Sequence, residues 1–401
     1  MGSKFSLSIP EDVVNIILDQ FEDTPNDLQI RTFLACSTIA RPFLAPSQAR
    51  LFKKVILHSD GSKCNKCQRL YVLLTQSPHL ALHIRVLVLD PAPQWFKLPD
   101  DPELPNWIFR EEKLAPVLDI IPYLRAIHIR PEKYRLLYWR DLTGELEASF
   151  LRAFRSPYLK ELEIKFLEVP ATLFSFTTDL EDLSLTESGI DYESDTAMNF
   201  ASKACEGVIQ KPRLRSLSLT PGSSISLMEN LRSAVDLSNL RELNFIGRLD
   251  RTTLKILEPL LRILHHFQWT VSDSDSPEDS HDWQSRRARG VSEANAPINW
   301  AVRALRDLQR RGKPVDLVAI TVDVIFGDSY EDVTEWGWFW DDLDAILSDD
   351  KIFANLQHVT VVPFLQDDYS KKMQKLGEKY STGMWRALPR IHSRGIFNIN
   401  G

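Results

Sequence analysis

Leu214-Arg215-Ser216-Leu217-Ser218-Leu219 is a six-residue phrase with apolar side chains at its first, fourth and sixth positions, and the chain repeats it. Clear copies are Leu124/Ile127/Ile129, Leu159/Leu162/Ile164, Leu180/Leu183/Leu185 and Leu240/Leu243/Phe245. Weaker ones are Ile84/Leu87/Leu89, Leu264/Phe267/Trp269, Leu317/Ile320/Val322 and Leu356/Val359/Val361. The fourth and sixth positions alternate as a strand does, and the first lies where the chain enters that strand. A copy buries only one side, so it needs neighbours. The segments between copies are long enough for crossover connections, which predicts a parallel sheet with helices on its outside, an α/β solenoid. Phrase starts fall 21 to 53 residues apart, so the solenoid is irregular. Helices are expected between the strands at 111–121, 144–154, 196–210, 225–235, 252–264 and 299–311, and a polar one at 369–380. The stretch 383–399 reads as a tail that caps the stack.

The N-terminal stretch has a different pattern. Pro10 suits the first turn of a helix, and Glu11 and Asp12 suit the positive end of its dipole. Val13, Ile16 and Ile17 form one apolar stripe; Val14, Ile17, Leu18 and Phe21 form a second, rotated from it. One short helix packed in its own domain needs only one stripe, so the other is either wedged against a further helix or awaits a partner. A second helix starts at Asp27, with Leu28, Phe33, Leu34 and Ile39 as its apolar set. Phe43, Leu44, Leu51 and Phe52 continue the pattern beyond Pro42, and a strand is expected at 54–57.

These residues carry a resemblance. Leu7-Ser8-Ile9-Pro10-Glu11-Asp12-Val13-Val14, Ile16-Ile17, Leu34-Ala35-Cys36-Ser37, Arg41 and Phe43, and Ala49-Arg50-Leu51-Phe52 together resemble an F-box over residues 5–57. The six-residue phrase resembles the leucine-rich repeat, although the Asn/Cys position that usually follows is not regularly filled. The whole chain is thus similar to fungal F-box proteins with leucine-rich repeats. It departs from their pattern at Ile9, where Leu is usual, and at Phe43, where Trp is common. The resemblance implies an F-box-like helical module (1–57), a connecting helix, first repeat strand and Pro-rich loop (58–110), and a leucine-rich-repeat solenoid (111–401) with a mobile loop at 271–297. It also implies binding of the Skp adaptor and cullin scaffold of a ubiquitin ligase, with Leu7, Ile9, Pro10, Val13, Ile16 and Ile17 as adaptor contacts, and an unknown protein substrate held by the repeats.

Composition narrows the alternatives. A net charge of -7 and a pI near 5.8 argue against nucleic acid, whose backbone selects clustered Lys and Arg. Four Cys make no disulfide framework. With no secretory signal and no run long enough to span a bilayer, the expected compartment is cytoplasm or nucleus. Met1-Gly2-Ser3-Lys4-Phe5-Ser6 fits a myristoylation template at Gly2, but one acyl chain without a second signal gives no stable anchor. Cys64, Cys67, His79 and His83 come close to zinc-finger spacing. Leu70, Leu73 and Leu74 at helical spacing and the break at Ser77-Pro78 read better as a helix over 66–75 and a turn, so no metal is expected. Neither phosphate-loop glycines nor a G-x-S-x-G or H-E-x-x-H motif occurs. No cofactor is expected, and the chain is not expected to be an enzyme.

On the sheet's open face, the residues between the apolar ones are Ala126 and His128, Glu161 and Glu163, Asp182 and Ser184, Ser216 and Ser218, and Glu242 and Asn244. Glu161, Glu163, Asp182, Ser216, Ser218, Glu242 and Asn244 are the expected partner-binding residues, joined by Trp338 from an acidic aromatic stretch at 328–350, whose rings otherwise serve to cover the sheet. The function implied is target recognition for a ligase; the alternative is a repeat scaffold without ligase role, attached to a membrane if Gly2 is acylated.

Overall fold

The computed structural model describes residues 9–21, 26–58, 66–90, 106–131, 137–191, 211–221, 231–246, 259–272, 305–306, 309–310, 312, 314–326, 337–365 and 388–399. They fall into two compact units, Met1–Leu180 with Asp191–Val208, and Glu181–Ile190 with Ile209–Gly401. Both are α/β, built on parallel strands.

The first unit opens with three helices, α1 (Glu11–Asp19), α2 (Asn26–Ile39) and α3 (Arg41–Lys53), the last running directly into β1 (Lys54–His58). Next come α4 (Lys66–Gln76), a 3-10 turn (Pro78–His83), β2 (Val86–Asp90), α5 (Trp107–Arg110), α6 (Leu114–Ile120) and β3 (Ala126–Ile129). The unit continues with β4 (Leu137–Tyr138), α7 (Gly144–Phe154), β5 (Glu161–Lys165) and β6 (Leu167–Pro170). Strands β1, β2, β3 and β5 pair in that order, all parallel. A separate short pair joins β4 to β6. Helix α7 begins where Thr143 accepts a hydrogen bond from the Leu146 amide, at 3.3 Å, and Glu145 and Glu147 occupy its first turn. Its inner face buries Phe150 and Phe154 beside Trp139, and Arg152 reaches Asp119 of α6 at 2.6 Å.

The second unit contains β7 (Asp182–Ser188), β9 (Ser216–Pro221), β10 (Glu242–Ile246), β11 (His266–Ser272), β12 (Ala319–Phe326), α8 (Gly337–Leu347), β13 (His358–Leu365), α9 (Pro389–Ser393) and β14 (Phe397–Ile399); the two residues of β8 (Ile190–Asp191) fall one in each unit. Its sheet runs β7, β9, β10, β11, β12, β13, β14, every pair parallel.

The nine phrases are nine strands, and each strand starts two residues after the first apolar side chain of its phrase. Within each unit, like positions pair with like: Leu87 with Ile127 and Leu162, and Leu183 with Leu217, Leu243, Phe267, Ile320 and Val359. These side chains, and the first-position residues from Ile84 to Leu356, are buried. At the second position the backbone repeats one arrangement. The Arg85 carbonyl accepts from the amides of Arg125 and Ala126, and that of Arg125 accepts from Lys160 and Glu161; Arg215, Arg241, His265 and Val318 do the same for the phrases that follow them. The first strand follows the same pattern, with the Lys53 carbonyl accepting from the Arg85 amide, so Phe52-Lys53-Lys54-Val55-Ile56-Leu57 is a tenth copy. The eighth residue of two phrases, Phe166 and Glu187, is left-handed (φ 50° and 48°). That conformation costs an L-residue about 1–2 kcal/mol and turns the chain away from the strand it has just completed.

Several expectations shift in detail. The helix expected at 111–121 is shorter, α6 alone, and the separate α5 precedes it; between the two, the Glu111 carboxylate accepts from the Lys113 amide at 3.0 Å. Val271 and Ser272, expected at the start of the loop, belong to β11, where they pair with Val324 and Ile325. The remaining loop to 297 lies outside the described residues, as do the helices expected at 196–210 and 369–380 and most of those at 225–235, 252–264 and 299–311. Among the described residues, no helix is long and apolar enough to cross a membrane.

The expected capping tail includes α9 and β14, the latter paired with β13. Asp344, 3% exposed on α8, accepts from the amides of Arg390 (3.1 Å) and Ile391 (2.8 Å) and so caps α9. Arg394 then donates to the Leu347 carbonyl at 2.9 Å and pairs with Asp350. Asp344→Ala leaves two amides without their acceptor and is expected to cost about 2 kcal/mol, read as a lower urea midpoint. An unchanged midpoint would mean that the tail is not held by this carboxylate.

Candidate functional site: the N-terminal helices and the open sheet face

Helix α1 has no side-chain cap; the Pro10 carbonyl accepts from Val13 and Val14, at 3.1 and 3.2 Å, to start its first turn. Its two apolar stripes part company. Val14 and Leu18 are fully buried with Phe33 and Cys36, and Phe21, Phe43 and Leu51 pack around them. Ile9, Val13, Ile16 and Ile17 face outward, and Ile16 is 62% exposed. They recur at i, i+4, i+7 and i+8, which is one side of the helix. Arg50 of α3 fixes that helix in place, donating to the Asn15 side chain at 3.1 Å and pairing with Asp19.

In α2 the expected apolar set does not all turn inward. Phe33 is buried, whereas Leu28, Leu34 and Ile39 are exposed, and Ile30 with them. The inward face of α2 is instead Phe33 with Cys36, because only that side meets α1 and α3. Every large apolar side chain that is exposed among the described residues lies before residue 160, and all but Val72, Leu73, Leu82 and Tyr158 lie between Ile9 and Ile56. Such a concentration contrasts with the single, scattered exposed apolar residues usual on a folded surface. Leu7 and Gly2 lie outside the described residues.

The open sheet face differs in character from the acidic surface expected of it. Glu163 is held by Arg130 (Nε to Oε1, 3.0 Å; a second contact of 2.7 Å) and by Lys165 at 3.0 Å. His128 lies 2.8 Å from Glu161 and 3.3 Å from Glu163. The cations come from the strand position just beyond the phrase, which the six-residue reading did not include. Ala126, expected on this face, is buried; a methyl group between the longer Val86 and Glu161 is shaded by them. In the second unit, Asp182, Ser216 and Glu242 form one row and Ser184, Ser218 and Asn244 the next. Glu242 is exposed, with Arg215 4.0 Å away, and the Asn244 side-chain oxygen is buried with no hydrogen-bond partner. The backbone of Trp338 lies in α8; its side chain is outside the described residues.

Burial pushes the Glu163 carboxyl up, but the hydrogen bonds and charges of Arg130 and Lys165 outweigh it and hold the group below its ordinary value of 4.5. A depressed folded-state value means that the carboxylate stabilises the fold above the unfolded value, and that this is lost as pH falls through the folded one. Glu163→Gln should therefore lower the melting temperature at neutral pH, and its gap from wild type should close on acidification below 4.5. A gap that stays constant would show that Arg130 and Lys165 do not stabilise the ionised form.

The near-zinc pattern resolves into local structure. Cys67 is buried in α4 beside Leu70 and Leu74, while His79 and His83 sit in the 3-10 turn. Burial, and then the charge of Glu111, pushes the Cys67 thiol well up, away from the thiolate that zinc requires. Cys64 lies outside the described residues, and no group of three metal-binding side chains occurs among the described ones. Compared with known proteins, the chain matches no family model and no curated relative.

Proposed function

We propose that the chain is the substrate-recognition subunit of a Skp-cullin-type ubiquitin ligase, holding the adaptor on α1 and a target protein on the repeats. The observation that carries this reading is the outward stripe Ile9, Val13, Ile16 and Ile17 on a helix whose other stripe is already packed. That stripe belongs to the segment that resembles an F-box, and such a module needs an apolar surface for its adaptor. Burying those four side chains in a partner would contribute several kcal/mol gross, at about 1.5–3 kcal/mol for a full side chain, against the cost of association. The ligase role needs no bond-making residue. A target tethered near the conjugating enzyme reacts at raised effective concentration, so positioning suffices.

The test is co-expression of the full chain with a Skp adaptor, followed by size-exclusion chromatography. A stoichiometric complex that also recruits the cullin supports the proposal. A folded chain that elutes apart from the adaptor would sink it and leave the repeat-scaffold reading.

A further inference from the structure

The second phrase position, which supplies the repeating backbone acceptor, also carries a row of cations. Immediately before β1, β2, β3 and β5 the residues at this place are Lys53, Arg85, Arg125 and Lys160, joined one to the next by amide-to-carbonyl bonds of 3.0, 2.7 and 2.8 Å. Hydrogen-bonded strands lie about 4.8 Å apart, so the row spans about 14 Å. Lys54 adds a fifth charge at the end. Lys53, Lys54 and Arg125 are exposed, and Arg85 and Lys160 partly so.

Two positions earlier on the last three of these strands lie His83, Tyr123 and Tyr158, a second row alongside the first. The tyrosine rings meet edge to face, 4.9 Å between centroids, and the Arg85 guanidinium lies 5.2 Å from the Tyr123 centroid. Arg85 also donates to the Tyr123 carbonyl at 3.4 Å. Tyr123 therefore holds Arg85 in place. Among the acids, Asp179 lies 3.8 Å from Lys160, and no ion pair engages Lys53, Lys54, Arg85 or Arg125 among the described residues.

We propose that this strip binds an extended acidic segment of a partner polypeptide. An extended chain advances about 3.3 Å per residue, so four or five residues match the row, and Lys and Arg stems reach carboxylates on either side of it. Single-stranded nucleic acid is the less fitting polyanion. It would stack bases on open ring faces, whereas Tyr123 is engaged by Arg85 and by Tyr158. The strip lies where the chain enters the strands, with Lys53 alone at the end of α3, and not on α1, so it stands whether or not α1 holds an adaptor.

The experiment is fluorescence anisotropy with the full chain and a labelled decaglutamate peptide, beside a labelled oligothymidylate of equal length. The expected result is salt-sensitive binding of the peptide that falls at least tenfold in the triple variant Arg85→Glu, Arg125→Glu, Lys160→Glu. Arg125→Glu alone, at an exposed site with no packing role, should weaken it in the same direction. Arg31→Glu, an exposed arginine on α2, should leave it unchanged. Circular dichroism checks the fold, and the single variant keeps the test valid where the triple one is unstable. No peptide binding by wild type, equal loss with Arg31→Glu, or tighter binding of the oligothymidylate would each overturn the proposal.

Discussion

Changing Ile16 and Ile17 together to glutamate is expected to abolish capture of the Skp adaptor while leaving the fold as it was. Both side chains are exposed on α1, so two charges there meet water in the free protein and disturb no packing. In a complex the same charges would be desolvated with no cation known to receive them, and two apolar contacts would be lost. A loss of about 3 kcal/mol would be a hundredfold or more in affinity. Val14→Ala is the informative contrast. Val14 is fully buried with Leu18, Phe33 and Cys36, so its truncation should lower stability first and binding only as a consequence. Adaptor capture by the double glutamate variant at wild-type strength, with unchanged circular dichroism, would place the interface elsewhere.

The second large effect concerns the repeat core. Leu217 is fully buried on β9, level with Leu183 of β7 and Leu243 of β10. Leu217→Ala should cost about 3 kcal/mol, because the flanking leucines are fixed by their own strands and cannot collapse into the space. Ser218→Ala, one residue on and facing the other way, should shift the urea midpoint little. If the two substitutions cost the same, the fourth phrase position is not the continuous core that the pairing describes.

The two parts of the chain were not equally legible. A six-residue phrase with a fixed apolar pattern locates nine strands, because each strand must bury the same side against its neighbours. Helix 144–154 was as clear, since Thr143, Glu145 and the Phe150/Phe154 pair supply a cap, a favourable dipole and an inward face. The tenth copy, Phe52 to Leu57, was read as a strand and not as a repeat, for it follows a helix with no break. On α1 the two stripes were visible, but nothing in the periodicity says which one the fold uses. That choice depends on where Phe33 and Cys36 of α2 fall. The charge state of the open face was hidden for a related reason. Glu163 looks acidic along the chain, and its neutralising partners Arg130 and Lys165 lie one place beyond the phrase, on the adjacent strand or the same one. The basic row occupies the phrase position that leads into each strand, which the apolar alternation leaves unmarked.

Register that is set by the phrase itself, and not by the length of what joins one phrase to the next, has an evolutionary consequence. Strand starts within a unit are unevenly spaced, 24 residues from β10 to β11 and 53 from β11 to β12, yet like positions still pair with like across both. An insertion or deletion between phrases therefore meets little resistance from the sheet, since each doubling of a loop adds only about 0.6 kcal/mol of closure entropy. Lineages can lengthen, trade or discard connecting segments and so try new surfaces, while the leucines that carry the fold stay where they are.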